Sequence, residues 1–189
     1  METRRTRAGW LRKVAPDLSP LRESRSYRLL WFGQLVSVSG SQLRHVVVAY
    51  HVFVLTDSPL AVGMIGAFQA GPLIAFSLWG GVFADAVDRR KLLLFTQTGL
   101  IAVMSGLALG TQLGVANLWF IYILTAMASV LFALDAPARQ SLIPTLVERR
   151  QIPAAMALNQ VLFQTSMIAG PAVGGIVLGQ LGIAAGYWI

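Results

Sequence analysis

The sequence predicts an all-α integral membrane protein, and three observations lead to this fold class. Hydrophobic residues make up 56% of the 189 residues and charged residues only 12%, against about a quarter in soluble domains. Long stretches of the chain contain no charge at all, and the basic residues are concentrated in an N-terminal tail and in every second loop. This composition excludes a water-soluble surface. The absence of cysteine excludes disulfides, thiolate metal sites and a cysteine nucleophile.

The membrane spans are predicted from the charge-free intervals, because a helix needs about 20 apolar residues to cross the hydrocarbon. Residues 92–134 exceed one crossing, and the segment 110–117 supplies a turn that divides them. Residues 151–189 are divided in the same way at 179–182. A basic cytoplasmic tail covers residues 1–28 and the transmembrane bundle residues 29–189, with spans at about 29–55, 60–84, 92–110, 118–134 and 154–178 and an incomplete sixth from about 183.

The orientation follows from the basic residues. Of the 15 lysines and arginines, all except Arg44 lie in the tail, in the loop after the second span or in the loop after the fourth. The alternate loops, 56–59 and 111–117, have none. The positive-inside rule therefore places the N-terminus in the cytoplasm of a multi-pass protein of the cell (plasma or inner) membrane. A basic tail is also typical of proteins that bind nucleic acid. Because basic residues are concentrated in the same way in both later loops on that side of the membrane, no nucleic-acid partner is predicted.

A polar stripe runs along the first span. Its members recur at helical spacings on one face and are Gln34, Ser37, Ser41, Arg44, His45 and His51. An arginine inside the membrane costs about 2.5–3.5 kcal/mol on insertion scales and usually lines a pathway or has a partner. We expect Gln34, Ser37, Ser41, Arg44 and His45 to line a cavity for substrate or coupling protons. The alternative is that Arg44 is a structural clamp and the histidines are packed polar residues. Two histidines six residues apart, without a third ligand, do not predict a metal site.

A short charged loop connects the second and third spans. It has the sequence Gly81-x-x-x-Asp85 followed by Arg89-Arg90-Lys91, which resembles the signature after the second helix of major facilitator superfamily transporters. Further segments are similar to the branch of that superfamily with siderophore and multidrug exporters: Tyr27–Trp31, Gly33–Ser37, Asp135–Pro144, Ala157–Asn159 and Gly170–Gly175. The resemblance covers Tyr27 to the end of the chain. It implies the N-terminal half of a twelve-helix fold, with five complete helices and the start of a sixth.

The resemblance also implies roles for two groups of residues. A cytoplasmic gate is expected from the charges at the inner ends of the second to fourth spans: Gly81, Asp85, Arg89, Arg90, Asp135 and Arg139. In the family the acid matching Asp85 faces helix eleven, and the arginine matching Arg89 pairs with an acid for which Asp135 is the candidate. The alternative is that these charges are exposed to solvent and only anchor the topology of the chain in the membrane. Gly170, Pro171, Gly174 and Gly175 are similar to the core of an antiporter signature on helix five.

The expected function is secondary active transport, in the form of ion-coupled efflux of a small molecule. The expected mechanism is alternating access, and this chain is expected to be an incomplete N-terminal half of the transporter. Its expected partners are membrane lipid, a small-molecule substrate, protons and a missing C-terminal six-helix half, and no cofactor is predicted. One alternative is a non-transporting membrane subunit or inactive fragment. Another alternative is a membrane enzyme. The sequence contains no His-Glu-x-x-His, Gly-x-Ser-x-Gly or P-loop motif, which argues against an enzyme.

Overall fold

The computed structural model describes residues 17–86 and 88–188, without the side chains of residues 77–86 and of Arg89. Within these ranges the chain consists of helices and turns and contains no β-strand. The α-helices are α1 (Ser19–Glu23), α2 (Arg25–Thr56), α3 (Pro59–Ala86), α4 (Arg89–Gln112), α5 (Leu118–Leu146) and α6 (Ile152–Trp188), and a 3-10 turn (Arg149–Gln151) precedes α6.

The helices α2, α4 and α5 each begin after a polar side chain that caps them. Ser24 Oγ accepts a hydrogen bond from the Tyr27 amide at 3.1 Å at the start of α2. Asp88 accepts from the Arg90 amide at 2.8 Å before α4. Asn117 accepts from the Phe120 amide at 2.9 Å before α5. Each cap satisfies a backbone donor that has no partner inside its own helix.

Positive φ angles mark the turns. Asp57 (φ 48°) ends α2, and Gly114 (φ 69°) lies in the turn between α4 and α5. Gly182 (φ 80°) interrupts α6, within the segment 179–182 where the sequence predicts a division. A side chain at this backbone conformation would be strained, so glycine suits the break.

Four described helices are long and apolar enough to cross a membrane, namely α3, α4, α5 and α6. Helix α2, with 32 residues, is long enough but carries the polar stripe, which lowers its apolar character. Its role as a span therefore remains a prediction. The outer surface of the bundle is strongly apolar: Leu29, Leu60, Leu94 and Ile168 are each more than 60% exposed. An apolar exterior of this kind suits lipid and not water.

Helix α5 continues beyond the predicted fourth span. The charge-free criterion ends that span at 134, before Asp135, and places Arg139 in the following loop. In the structure both residues lie inside α5, which extends to Leu146. They form an ion pair one helical turn apart, so the charges are compensated and the helix continues through them.

The bundle is organised around two long contacts, α2 with α6 and α3 with α5, and α4 also packs against α5. The apolar core includes Val47 and Val52 of α2, Leu107 of α4 and Ile121 of α5. At the other end of the bundle, Tyr27 Oη donates to the Ala155 carbonyl at 2.9 Å. These contacts hold α2 beside α6 and leave one polar face of α2 turned towards the centre of the bundle.

Candidate functional site

A cavity of about 330 Å³ lies at the centre of the bundle, between α2, α3, α4, α5 and α6. Its lining includes the five stripe residues for which the sequence predicts a cavity: Gln34, Ser37, Ser41, Arg44 and His45. Asp135 and Arg139, expected at the cytoplasmic gate, line the same cavity. The structure thus brings seven predicted site residues together, while their role in transport remains a prediction.

A hydrogen-bonded network joins three helices in the cavity wall. Ser37 of α2 donates to Gln97 Oε1 of α4 at 3.3 Å. Gln97 Nε2 donates to Asp135 Oδ1 at 2.9 Å, and Thr96 Oγ1 donates to the same oxygen at 2.7 Å. Arg139 completes the network with Nε 2.9 Å and Nη2 2.8 Å from Asp135 Oδ2. Both oxygens of this buried carboxylate are satisfied, as a charge in a low-dielectric interior requires.

Arg44 has a very different environment. The residue is 6% exposed, and its Nη2 lies 3.5 Å from Ser41 Oγ, at the outer limit of a hydrogen bond. Its Nη1 has no hydrogen-bond partner in the part of the chain that the structure describes. No ion pair with Arg44 occurs there either. The guanidinium therefore lines the cavity as a buried cation with unused donors.

The two histidines of the stripe separate in the structure. His45 lines the cavity, with Nδ1 3.3 Å from Gln69 Nε2. His51 is buried away from it, with Nδ1 3.1 Å from the Tyr187 hydroxyl and the two rings 5.8 Å apart. Among the described residues no three metal-ligating side chains come together.

Six polar residues of the lining were not predicted from the sequence, namely Gln42 in α2 and, in the more apolar helices, Gln69, Gln97, Ser129, Gln140 and Asn159. Asn159 is buried, and its Oδ1 has no partner among the described residues. The available signal was an amide side chain inside an apolar span, which is costly to bury without a partner. These residues come from different helices, and no polar stripe like that of α2 identifies them in α3 to α6.

The expected gate is described only in part. Gly81 and Asp85 lie in α3, but the structure does not describe the side chains of Asp85 and Arg89, so the predicted Arg89–Asp135 pair is still a prediction. Arg90 is exposed at the start of α4. Asp135, in contrast, is 5% exposed and bound to Arg139.

The glycine signature of α6 lies against α2. A Cβ built at Gly170 would be 2.5 Å from the Gln42 Cβ and 3.0 Å from the Ser39 carbonyl oxygen. Gly174 is in ordinary contact range of Leu43, and a Cβ at Gly175 would meet nothing within 4 Å. Pro171 lies within the same helix. Gly170 therefore permits the close approach of two backbones.

We expect Gly170→Ala to destabilise the protein by about 1–3 kcal/mol, because the added methyl group overpacks the α2–α6 contact. Gly175→Ala is the matched control, since it makes the same change in the same helix with open space around it. Thermal unfolding of both variants in detergent measures the difference. Equal midpoints for the two variants would contradict the packing role of Gly170.

A second cavity of about 510 Å³ lies on the neighbouring face of α2. It is lined mainly by α2, α4 and the segment 186–188 of α6, and Ser37, Ser41, Arg44, Gln97 and Leu100 also border the first cavity. Arg44 therefore lies between the two cavities.

Comparison with known proteins places this geometry in a family. The profile of the family described as transmembrane secretion effector, within the major facilitator superfamily, matches residues 15–189. The chain is similar to enterobactin exporters EntS of Shigella boydii serotype 18 and of Escherichia coli O127:H6, each 26% identical over 171 residues. These matches cover 90% of this chain and 41% of each relative, so the chain spans about two fifths of their length. No solved structure matches the chain significantly.

The family profile confirms the resemblance that the charged loop and the later motifs indicate. It extends over nearly the whole chain, including the α2 stripe, the Asp135–Arg139 pair and the glycine signature of α6. The chain belongs to the transmembrane secretion effector family of the major facilitator superfamily.

Proposed function

We propose that the chain forms the N-terminal half of a small-molecule exporter and that the 330 Å³ cavity is its half of the substrate site. The observation that carries this proposal is the convergence of polar side chains from five helices on one cavity inside an otherwise apolar bundle. Burying so many polar groups in a membrane protein is costly unless they face water or a ligand. Family membership supports export, and it confirms the expectation that the chain is not an enzyme.

The proposed mechanism is alternating access. In facilitator-type transporters two bundles rock against each other about a site near the bilayer midplane. The 41% coverage of the relatives supports a second, C-terminal bundle of six helices as the partner of this one, and we call the two together the completed transporter. Ion coupling by protons is part of the proposal, since His45 and Asp135 are titratable groups on the cavity wall.

In the proposed orientation the chain crosses the inner membrane with its N-terminus in the cytoplasm. Because the chain has no cysteine, a single introduced cysteine is the only thiol. We expect a cysteine at exposed Leu113 to react with an impermeant reagent in intact cells, and one at exposed Thr145 to react only after the membrane is opened. Labelling of position 145 from outside would contradict the orientation.

Export itself can be tested by complementation, with enterobactin as the probe because the relatives are named for its export. In Escherichia coli lacking EntS, residues 1–189 alone are expected to insert into the membrane without restoring secretion, because the cavity needs its opposing bundle. Co-expression with a matching C-terminal half should restore secretion, measured as enterobactin in the medium.

The control for this experiment is the C-terminal half expressed alone, which should also be inactive. Efflux by the purified 189-residue chain as a monomer in liposomes would contradict the half-transporter proposal. If both halves are well expressed together and secretion stays at the level of either half alone, the proposal that the completed transporter exports enterobactin is contradicted.

A further inference from the structure

The charges around the central cavity do not balance. In the described lining the charged side chains are Arg44, Asp135 and Arg139. Asp135 and Arg139 neutralise each other at 2.8 Å, and the carboxylate has both oxygens occupied by Thr96, Gln97 and Arg139. With His45 neutral, the cavity retains one uncompensated positive charge, on Arg44.

The donors of Arg44 are available for a ligand. A guanidinium carries five N–H donors in a planar fork and cannot act as an acceptor. Only the weak 3.5 Å contact with Ser41 occupies any of them among the described residues, and Nη1 is buried without a partner. Arginine matches carboxylates and other oxyanions better than any other side chain, because two parallel N–H bonds reach two oxygens. A buried cation in this condition is incomplete without an anion.

The rest of the lining indicates what else the ligand carries. The cavity that Arg44 lines also has neutral polar side chains in its wall, including Ser41, Gln69 and Asn159. Apolar side chains contribute to the same wall, including Leu73, Phe132 and Phe163. The volume of about 330 Å³ is at the lower end of the range of small-molecule sites. The chemistry is that of a small molecule with an oxyanion at one end and an apolar or aromatic body.

We infer that the cavity binds anionic substrates, with the guanidinium of Arg44 holding the carboxylate or other oxyanion of a small molecule that has an apolar body. This inference rests on the proposed function in that it treats the cavity as the substrate site. Binding alone, however, can be measured without transport.

Benzoate and benzamide provide the test, since they share size and aromatic body and differ in charge. The 189-residue chain is purified in dodecyl maltoside, which has no charged headgroup to compete, and each compound is titrated while thermal unfolding is followed. We expect benzoate to bind the wild type at least about tenfold more tightly than benzamide, because only benzoate can accept a hydrogen bond between two charged groups. Arg44→Gln should remove this difference, and Arg44→Lys should keep part of it.

Arg150→Gln is the matched control. It removes one positive charge at an exposed site and should leave the preference for benzoate unchanged, which excludes non-specific attraction to a basic protein. A cysteine at Ser41, the side chain next to Arg44, should be protected from a hydrophilic thiol reagent by benzoate and less by benzamide. This comparison uses native Arg44 and stands even where Arg44→Gln does not fold.

The inference is overturned by equal binding of the two compounds to the wild type, by binding of neither, or by an unchanged preference in folded Arg44→Gln. Arg44-dependent binding of benzoate with no efflux by the completed transporter would leave this inference standing and contradict the proposed function. Efflux restricted to neutral compounds would contradict this inference and leave the proposed function standing.

Discussion

Replacing Arg44 with alanine is expected to abolish transport by the completed transporter while leaving its expression and thermal stability nearly unchanged. Arg44 is 6% exposed and has no ion-pair partner among the described residues. Its removal therefore leaves no charged group of the described chain without a partner, and the usual cost of breaking a buried ion pair, about 3–5 kcal/mol, does not arise. The substrate, in contrast, loses the only uncompensated charge in the described lining of the cavity.

The measurements are secretion of the probe, the amount of protein in the membrane and the unfolding midpoint in detergent. Arg25→Ala is the control, since Arg25 is an exposed arginine at the start of the same helix, α2, and lies outside the cavity lining. A cysteine at Ser41 should also be reached by a hydrophilic reagent and protected by substrate. Loss of folded protein on Arg44→Ala, with no reagent access at position 41, would show that Arg44 is a structural clamp.

Asp135→Ala is expected to destabilise the protein strongly, by about 3–5 kcal/mol, because it leaves the buried Arg139 without its carboxylate. The side chain of Arg139 is only 12% exposed, and that of Asp135 is 7% exposed. The same change removes the acceptor of Gln97 Nε2, and an unsatisfied buried donor adds to the cost, whereas the Thr96 hydroxyl can still donate to the Leu93 carbonyl. The effect should appear as a large fall of the unfolding midpoint, together with a loss of transport.

A double variant separates the ion pair from the rest of the site. Asp135→Ala combined with Arg139→Ala removes both charges, and we expect it to be more stable than Asp135→Ala alone. Glu148→Ala is the control, because its ion pair with Arg150 is exposed on both sides and exposed pairs contribute little. A midpoint for Asp135→Ala as high as that of Glu148→Ala would show that the buried network does not stabilise the bundle.

Helical periodicity was sufficient to group the α2 stripe. Ser37, Ser41 and Arg44 are three or four residues apart, and a regular helix places such residues on one face whatever surrounds it. The predicted cavity lining included His45 and left out His51, and in the structure His45 lines the cavity while His51 is bound to Tyr187. That Tyr187 is the partner of His51 could not be predicted, because a contact between residues so far apart in the chain has no local signal.

The glycines of α6 show the same limit. Gly170 and Gly175 belong to one motif and are indistinguishable by residue type, yet only Gly170 lies within contact distance of α2. The rotation of α6 about its axis decides which glycine faces its neighbour. That rotation is set by packing along the whole helix, because membrane helices associate through close fit and not through a hydrophobic effect between them.

By itself the sequence determined the membrane class, through composition, and the family, through the motif at 81–91 and the segments after it. These depend on residue type and on spacing along the chain, so they are visible without coordinates. Only the tertiary structure decided that Asp135 is bound to Arg139, Thr96 and Gln97, and that Arg44 Nη1 is buried beside the same cavity without a partner among the described residues. The physical reason is that a charge is compensated by whatever lies within a few ångströms of it, and in a helical bundle most of those neighbours come from other helices, far away along the chain.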